Sequence, residues 1–257
     1  MANSTPTLAV ALIVKNEAKH LQACLETVAD WVDEIVILDS GSSDETEAIA
    51  RRFTDKFYVN ADWPGFGPQR RLAQSYVTAD YVLWLDADER VTPELKASVL
   101  DAIQQNSDCT LYAINRISSA FGKFIQHSGW SPDWVVRLYK TKDTHYDNAL
   151  VHEKVIVGQY KIKKLAGRLQ HFTYENLHHY INKTTGYLKA WADERDGKKK
   201  SSLSIAIAHA LSSFIKMYII KLGFLDGKHG FILAWLSMNS TFIKYVDLYL
   251  RKQEKEK

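Results

Sequence analysis

The stretch Tyr81-Val-Leu-Trp-Leu-Asp-Ala-Asp-Glu89 decides the fold class of this chain. Its first five residues are all apolar, which predicts a β-strand covered on both faces. Two carboxylates, Asp86 and Asp88, follow where that strand ends. Carboxylates two residues apart in a turn can face one cavity, and their oxygens are the ligands that Mg²⁺ or Mn²⁺ prefers. The stretch therefore predicts a buried strand that carries a metal or ligand site at its end.

The residues before this stretch predict alternating strands and helices. Leu8–Val14 and Glu34–Leu38 are two further apolar runs, and amphipathic segments separate them. Ser42 and Glu45 have the spacing of a helix capping box, and Thr92-Pro93-Glu94 predicts the start of another helix. This order indicates an α/β fold with a mostly parallel sheet and helices on both faces. Residues 110–170 are expected to form shorter strands, Val151–Val157 among them, and the chain beyond 175 is expected to be helical.

Polar residues follow three of the predicted strands at the same edge of the sheet. Ligands of parallel sheets bind beyond the carboxyl ends of the strands, so these groups are expected to share one site. They are Lys15-Asn16-Glu17, Asp39-Ser40-Gly41 and Asp86-Ala-Asp88.

Composition and motifs exclude several classes of protein. The 257 residues are 46% hydrophobic and 25% charged, which excludes a collagen-like or wholly disordered chain. The chain has neither a Gly-x-Gly-x-x-Gly motif after its first strand nor a phosphate-loop lysine motif, so dinucleotide oxidoreductases and P-loop enzymes are not expected. Two cysteines make no disulfide framework and favour a reducing compartment. Nucleic acid is not an expected partner.

The charge is unevenly distributed along the chain. Residues 180–257 contain 14 Lys/Arg and 7 Asp/Glu, whereas residues 1–179 contain 19 and 23. A basic end of this kind suits an anionic surface. The stretches 201–215 and 229–243 contain no charged side chain apart from histidine, and we expect them to form helices that lie on a membrane surface or pack on the rest of the chain, rather than to span a bilayer.

On these residues alone, three functions remain open. An apolar strand followed by Asp-x-Asp is compatible with a sugar-nucleotide transferase. It is also compatible with a phosphotransferase in which Asp86 is the nucleophile. The third possibility is a non-catalytic module that binds a sugar nucleotide or a membrane.

The motifs taken together resemble family 2 glycosyltransferases of the GT-A fold, over residues of about 8–250. Within that family the later motifs resemble lipopolysaccharide core β-1,4-glucosyltransferases. The segments that carry the resemblance are Ala9–Glu17, Ile35–Thr46, Trp84–Glu89, Trp130–Tyr139 (WSPDWVVRLY), Val151-His-Glu153, Gln170–Tyr174 and Gly223–Phe231 (GFLDGKHGF).

The resemblance implies a metal-dependent, inverting transfer of a sugar from a UDP-sugar, with UDP-glucose as the expected donor. The implied donor-binding residues are Asn16, Glu17, Asp39, Gln69, Arg70 and Asp86. The cofactor would be Mg²⁺ or Mn²⁺, held by Asp88, Asp86 and His171.

The general base and the acceptor contacts follow from the order of motifs in this fold. Glu153 is the first choice for the base, and Asp133 is the alternative, because Trp130-Ser-Pro-Asp133 could equally point into the acceptor cleft. The family usually has Asp at the base position, so Glu153 leaves the assignment open. Gly129, Trp130 and Asp133 are the implied acceptor-binding residues. The acceptor would be a lipid-linked oligosaccharide, the inner-core heptose of a lipopolysaccharide. The enzyme would then be cytoplasmic and peripheral on the inner leaflet of the bacterial inner membrane.

The resemblance also implies a domain division. A GT-A catalytic domain is expected over 1–175, with a donor-binding half over about 1–108 and an acceptor half over about 109–175. A helical, basic region is expected over 176–257. The oligomeric state has no sequence signal.

Overall fold

The computed structural model describes residues 5–255, which divide into two compact units. The first unit comprises residues 5–116 and 133–171, and the second comprises 117–132 and 172–255. The division at 175/176 stays a prediction, and residues 1–4 and 256–257, which it includes, lie outside the described residues.

Strands and helices alternate through the first part of the chain, and helices make up most of its end. In chain order the elements are β1 (Leu8–Val14), α1 (Leu21–Leu25), β2 (Glu34–Asp39), α2 (Thr46–Ala50), β3 (Phe57–Val59), α3 (Phe66–Ser75), β4 (Tyr81–Trp84), β5 (Glu89–Val91), α4 (Pro93–Gln105), β6 (Thr110–Ala120), β7 (Lys123–Phe124), β8 (Asp133–Lys140), β9 (Lys161–Tyr174), α5 (Leu177–Arg195), α6 (Leu203–Ile215) and α7 (Lys228–Lys255).

The sheet has a parallel half that places the predicted polar loops at one edge. Strands β3, β2, β1 and β4 are parallel neighbours in that order, and β8 continues the sheet antiparallel to β4. The order then runs β6, β9 and β5, with β5 antiparallel to β9. The predicted α/β architecture with a helical C-terminal part is confirmed.

Strand β1 shows why a continuous apolar run forms a central strand. Successive side chains alternate between the two faces, so Val10 and Leu12 join the core cluster that includes Leu21, whereas Ala11 joins the cluster that includes Trp84. Each face of β1 therefore packs on its own hydrophobic core, and a polar residue at any of these positions would be buried.

Two local predictions have different outcomes. Thr92 caps α4 as expected: its hydroxyl accepts a hydrogen bond from the Leu95 N–H at 3.3 Å, and Pro93 takes the first helical position. The capping box at Ser42 is wrong, because α2 begins at Thr46 without a side-chain cap. The Ser42 hydroxyl instead donates to the carboxylate of Asp39, and it accepts from the N–H of Asn16 at 2.8 Å.

The strand predicted at Val151–Val157 is also wrong. This segment has one isolated bridge, between Val155 and Tyr146, and otherwise lies in a loop. The backbone N–H of Gly67 in α3 donates to Ala149 in this loop at 3.0 Å, so the start of α3 fixes the loop from which Glu153 projects.

The second unit contains the three long C-terminal helices and the loop before β8. Helix α6 continues beyond Ile215 as a π-helical turn over Lys216–Ile220. The resulting helical segment, Leu203–Ile220, is within residues 5–255 the one segment long and apolar enough to cross a membrane, judged by length and composition. No such segment was expected from the sequence, in which Lys216 interrupts the apolar run.

Candidate active site

The turn that follows β4 is closed by hydrogen bonds between its own ends. The N–H of Glu89 donates to the backbone carbonyl of Asp86 at 2.9 Å, and the N–H of Asp86 donates to the carboxylate of Glu89 at 2.9 Å. The Glu89 side chain is fully buried, so its hydrogen bond to the Asp86 N–H anchors the turn that contains Asp86 and Asp88.

Two arginines flank Asp86. Arg70 of α3 donates to one carboxylate oxygen and Arg137 of β8 donates to the other, each at 2.6 Å. Desolvation alone would raise the pKa of Asp86, but Arg137 and Arg70 hold it well below its usual range. Asp86 is therefore an ionised carboxylate whose two oxygens are already bound by guanidinium groups.

These pairs belong to a longer chain of alternating acidic and basic side chains. Arg70 also donates to Glu153 at 2.9 Å, and Arg137 lies 3.4 Å from Glu89. Arg116 continues the chain, 3.6 Å from Glu89 and 2.8 Å from Asp133. The whole series runs Glu153, Arg70, Asp86, Arg137, Glu89, Arg116, Asp133, and we call it the carboxylate–arginine chain.

The two candidate bases stand at the opposite ends of the carboxylate–arginine chain. The Glu153 side chain is 14% exposed and the Asp133 side chain is 36% exposed. Each has one arginine partner, which keeps its carboxylate oriented while leaving acceptor lone pairs free for a substrate hydroxyl.

Arg70 is held by more than its ion pairs. The residue is only 4% exposed, and its guanidinium lies 4.9 Å from the ring of Tyr146 and 5.2 Å from that of Trp84. Its Nη1 is buried and, within residues 5–255, has no hydrogen-bond partner. A buried guanidinium N–H without a hydrogen-bond partner costs folding free energy, so this nitrogen is suited to donate to an anionic oxygen of a ligand.

Asp88 and His171 form a second pair next to the carboxylate–arginine chain. The pairing of β5 with β9 puts His171 opposite Glu89, and its Nε2 lies 3.2 Å from an oxygen of Asp88. Within residues 5–255, no group of three or more His, Cys, Asp or Glu side chains could hold a metal ion. Asp88 and His171 thus offer two protein ligands, which suits an ion that takes its remaining ligands from phosphate oxygens and water.

The loops after β1 and β2 bring Asn16, Glu17 and Asp39 together. Asp39 is buried and accepts from the N–H groups of Gly41 at 2.9 Å and Ser42 at 2.8 Å. Asn16 and Glu17 are tied to the same loop, because Asn16 accepts from the Ser43 N–H and the N–H of Glu17 donates to Thr46, both at 2.8 Å.

Gln69, another predicted donor contact, has no exposed surface. Its amide donates to the hydroxyl of Ser40 at 3.0 Å and accepts from Asn60 at 2.8 Å. Gln69 therefore connects α3 to the loop after β2, and its own amide is already used.

Gly129 and Trp130 belong to the second unit, where the buried carboxylate of Asp226 shapes their loop. Asp226 accepts from the N–H groups of Gln126 and His127 and from the Ser128 hydroxyl, each at 3.0 Å. Gly129 has φ +77°, a conformation that favours glycine.

Three residues of the carboxylate–arginine chain were not predicted from the sequence as site residues: Glu89, Arg116 and Arg137. Arg137 left a signal, since it is a charged residue inside the otherwise apolar run Val135–Leu138 of a strand. A charge in such a strand must be paired, because an unpaired buried charge is strongly unfavourable.

Comparison with known proteins extends over most of the chain. An uncharacterized glycosyltransferase of Rickettsia typhi is 25% identical, over 92% of this chain and 85% of its own length. A lipopolysaccharide core biosynthesis glycosyltransferase of Rhizobium meliloti is 24% identical, over 95% and 92%. Among solved structures, a glucosyl-3-phosphoglycerate synthase of Mycobacterium tuberculosis with Mn²⁺ and UDP-glucose aligns over 44% of each chain, with 20% identity and a TM-score of 0.37.

A family model decides the assignment. The model described as glycosyl transferase family 2 matches residues 9–195, which include every residue of the carboxylate–arginine chain together with Asp88 and His171. The α/β fold with its parallel half-sheet is the GT-A fold expected from the sequence. The chain is a glycosyltransferase and belongs to glycosyl transferase family 2.

Proposed function

We propose that this enzyme is an inverting, divalent metal-dependent transferase that moves glucose from UDP-glucose to a heptose of a lipid-linked lipopolysaccharide inner core. The observation that carries the proposal is the turn after β4: its Asp86 binds Arg70, whose buried Nη1 has no partner within residues 5–255, and its Asp88 pairs with His171. Cationic donors next to two metal-ligand side chains suit the diphosphate of a sugar nucleotide.

The donor contacts divide between the two loop regions of the first unit. Asn16, Glu17 and Asp39 would hold the nucleoside, since ribose hydroxyls donate well to a carboxylate such as Asp39. Arg70 would bind the diphosphate through Nη1. Gln69 would act by fixing the position of α3, the helix that carries Arg70.

Asp88 and His171 would hold the metal ion, which when bound neutralises charge on the departing diphosphate. Asp86 would contribute by keeping Arg70 and Arg137 in place, and its assignment as a metal ligand stays a prediction. The arginines stabilise negative charge as it develops on the leaving group.

Glu153 would accept the proton of the acceptor hydroxyl as that hydroxyl attacks the anomeric carbon. A carboxylate within hydrogen-bond reach can do this, and a single displacement converts an α-linked donor into a β-linked product. Gly129, Trp130 and Asp133 remain the proposed acceptor contacts, with Asp133 also the alternative base.

Membership of a glycosyltransferase family argues against the two alternative functions, a phosphotransferase and a non-catalytic binding module. A phosphotransferase would need a free Asp86 carboxylate as its nucleophile, yet both oxygens are bound by arginine. A module that only binds a sugar nucleotide or a membrane does not fit a chain that belongs to an enzyme family.

We further propose that the enzyme lies on the inner leaflet of the bacterial inner membrane. The support is a stripe of apolar side chains along α6 and its continuation, each 46–53% exposed and spaced four residues apart. The stripe consists of Leu203, Ile207, Leu211, Ile215 and Ile219. Side chains four residues apart share one helix face, and the basic charge of this region suits anionic lipid.

The transfer reaction is tested with the full chain, a panel of UDP-sugars and a core-oligosaccharide acceptor, read by mass and by UDP release. We expect hexose transfer from UDP-glucose that chelation abolishes. Glu153→Gln should lower turnover by about 10²–10⁴-fold, and Asp133→Asn should lower it far less. Near-normal turnover of Glu153→Gln would transfer the role of base to Asp133, and the absence of transfer from every donor would reject the function.

The membrane placement is tested by vesicle sedimentation. Ile207→Ser/Leu211→Ser/Ile215→Ser should abolish co-sedimentation with phosphatidylglycerol vesicles, whereas Leu100→Ser, at an exposed apolar position of α4, should not. Equal binding of both variants would contradict the placement.

A further inference from the structure

The second unit contains a cavity of about 560 Å³ between its helices, and the proposed acceptor contacts Gly129 and Trp130 form part of its wall. Helix α7 lines it along one face, with Leu233, Ser237, Ser240, Thr241 and Lys244 spaced at helical intervals. The remaining walls come from α5, from α6 with its continuation, and from the loop that contains Gly129 and Trp130.

The lining of this cavity is cationic. Lys216, Lys221 and Lys244 contribute to its wall, and no aspartate or glutamate does. None of the ion pairs found within residues 5–255 involves these three lysines. The Lys244 ammonium lies 4.8 Å from the ring of Trp191, and burial with the like charges of Lys199 and Arg195 lowers its pKa.

Hydroxyl groups supply further donors within the same cavity. Ser213 and Ser237 share a hydrogen bond of 2.9 Å, and Tyr180 and Ser240 share one of 3.2 Å. In each pair one hydroxyl donates its proton to the other, and the proton of the second hydroxyl can be donated to a ligand. Lysine side chains with neutral hydroxyl donors around one cavity suit the oxygens of a phosphate group.

Exposed apolar side chains lie close in sequence to one of these lysines, Lys216. Ile215 directly precedes Lys216 and Ile219 follows it by three residues, and both isoleucines are 52% exposed. A molecule that carries a phosphate on a hydrocarbon chain would place its anion among the lysines and its chain against this face, because each part then meets a surface of its own kind.

We propose that this cavity binds the phosphate group of a lipid molecule, either a membrane phospholipid or the lipid-linked acceptor. The second source rests on the proposed function, which assigns Gly129 and Trp130 to a lipid-linked acceptor. Binding itself needs neither donor sugar nor turnover.

The test is a titration of the full-length enzyme with dodecyl phosphate, below its micelle concentration, followed by tryptophan fluorescence. Trp130 lines the cavity and reports on its occupation. We expect dodecyl phosphate to bind at least tenfold more tightly than both dodecyl maltoside, which lacks the anion, and inorganic phosphate, which lacks the chain.

A charge-matched pair of variants localises the effect. Lys216→Gln/Lys221→Gln/Lys244→Gln should weaken dodecyl phosphate binding at least tenfold, whereas Lys198→Gln/Lys200→Gln/Lys228→Gln, exposed positions outside the cavity, should change it less than twofold. Lys216→Gln alone should weaken it at least threefold, which keeps the test valid if the triple variant does not fold.

Four outcomes would overturn the proposal. Two concern the ligands: dodecyl phosphate binds no more tightly than dodecyl maltoside, or no more tightly than inorganic phosphate. Two concern the variants: Lys216→Gln and the folded triple variant of the cavity lysines bind dodecyl phosphate as the wild type does, or the two triple variants lose affinity equally. Vesicles of phosphatidylglycerol and of phosphatidylcholine, with core oligosaccharide phosphate as competitor, then distinguish the two sources. Absence of UDP release by the wild-type enzyme would count against the proposed function alone.

Discussion

Replacement of Arg137 by glutamine tests whether the arginines hold the carboxylates of the site in place. Arg137 is buried, donates to Asp86 at 2.6 Å and lies 3.4 Å from Glu89. Its removal leaves the fully buried Glu89 with Arg116 as its nearest cation, at 3.6 Å. We expect this variant to be clearly less stable than the wild type.

The size of the loss follows from how buried the partners are. Breaking a buried ion pair by removing one partner costs about 3–5 kcal/mol. Asp86 is 30% exposed and keeps its bond to Arg70, so the loss of Arg137 destabilises Asp86 less than it destabilises Glu89. The variant also no longer has the free-energy cost of burying the Arg137 guanidinium. We therefore expect the free energy of unfolding to fall by about 2–4 kcal/mol. The upper end corresponds to the interaction of two unit charges 4 Å apart, which is about 4 kcal/mol at an effective dielectric constant of 20.

Urea unfolding followed by far-UV circular dichroism measures this loss. Glu89→Gln added to Arg137→Gln should recover about 1–2 kcal/mol, because it removes the buried charge that has lost its partner. Lys140→Gln is the matched control on the same strand, since Lys140 pairs with an exposed carboxylate, and its midpoint should stay at the wild-type value. A loss below about 1 kcal/mol for Arg137→Gln, or no recovery in the double variant, would refute the reasoning.

Three further substitutions have defined outcomes. Burial alone would raise the pKa of Glu34, but hydrogen bonds from Lys56 and nearby donors lower it, so Glu34→Gln should cost about 1–3 kcal/mol at pH 7. In urea unfolding, the difference from wild type should begin to narrow as the pH falls below the ordinary glutamate value of 4.5; a difference of the same size at pH 7 and pH 3 would contradict this assignment. A Cβ on Gly67 would overlap the carbonyl oxygen of Asp147, so Gly67→Ala should lower both the thermal midpoint and the turnover, and unchanged turnover would separate that loop from catalysis. Asp226→Ala leaves two backbone N–H groups of the second unit without their acceptor, and hydrogen exchange of those amides should rise at least tenfold; unchanged exchange would contradict a role of this carboxylate in holding the loop.

Local sequence signals predicted the elements whose partners lie close in sequence. The run Leu8–Val14 forms a strand because each face of β1 packs on a hydrophobic core. Thr92-Pro93 begins α4 because cap and proline act within one turn. Ser42 failed as a helix cap because Asp39, three residues earlier, offers its hydroxyl a charged acceptor. Val151–Val157 has the composition of a strand, yet it forms one isolated bridge, and composition does not report the presence of a partner strand.

The candidate site was predictable where its residues follow strand ends. Asp86, Asp88 and Asp39 were identified in this way, and the structure places Asp88 next to His171, which is 83 residues away along the chain. The ion pairs of Arg137 with Asp86 and of Arg116 with Asp133 depend on strand order and register, so the spacing of these residues in the sequence does not show them.

The carboxylate–arginine chain has a consequence for kinetic experiments on the two candidate bases. Glu153 and Asp133 do not touch each other, yet each successive pair in the series between them shares a cation or an anion, so neutralising one end changes the field at every later member. The effects of Glu153→Gln and Asp133→Asn are therefore non-additive, with an interaction energy of about 0.5–3 kcal/mol expected for residues in one ion-pair network. A complete double-mutant cycle, rather than two single variants, separates the residue that accepts the proton from the residue that only sets the charge around it.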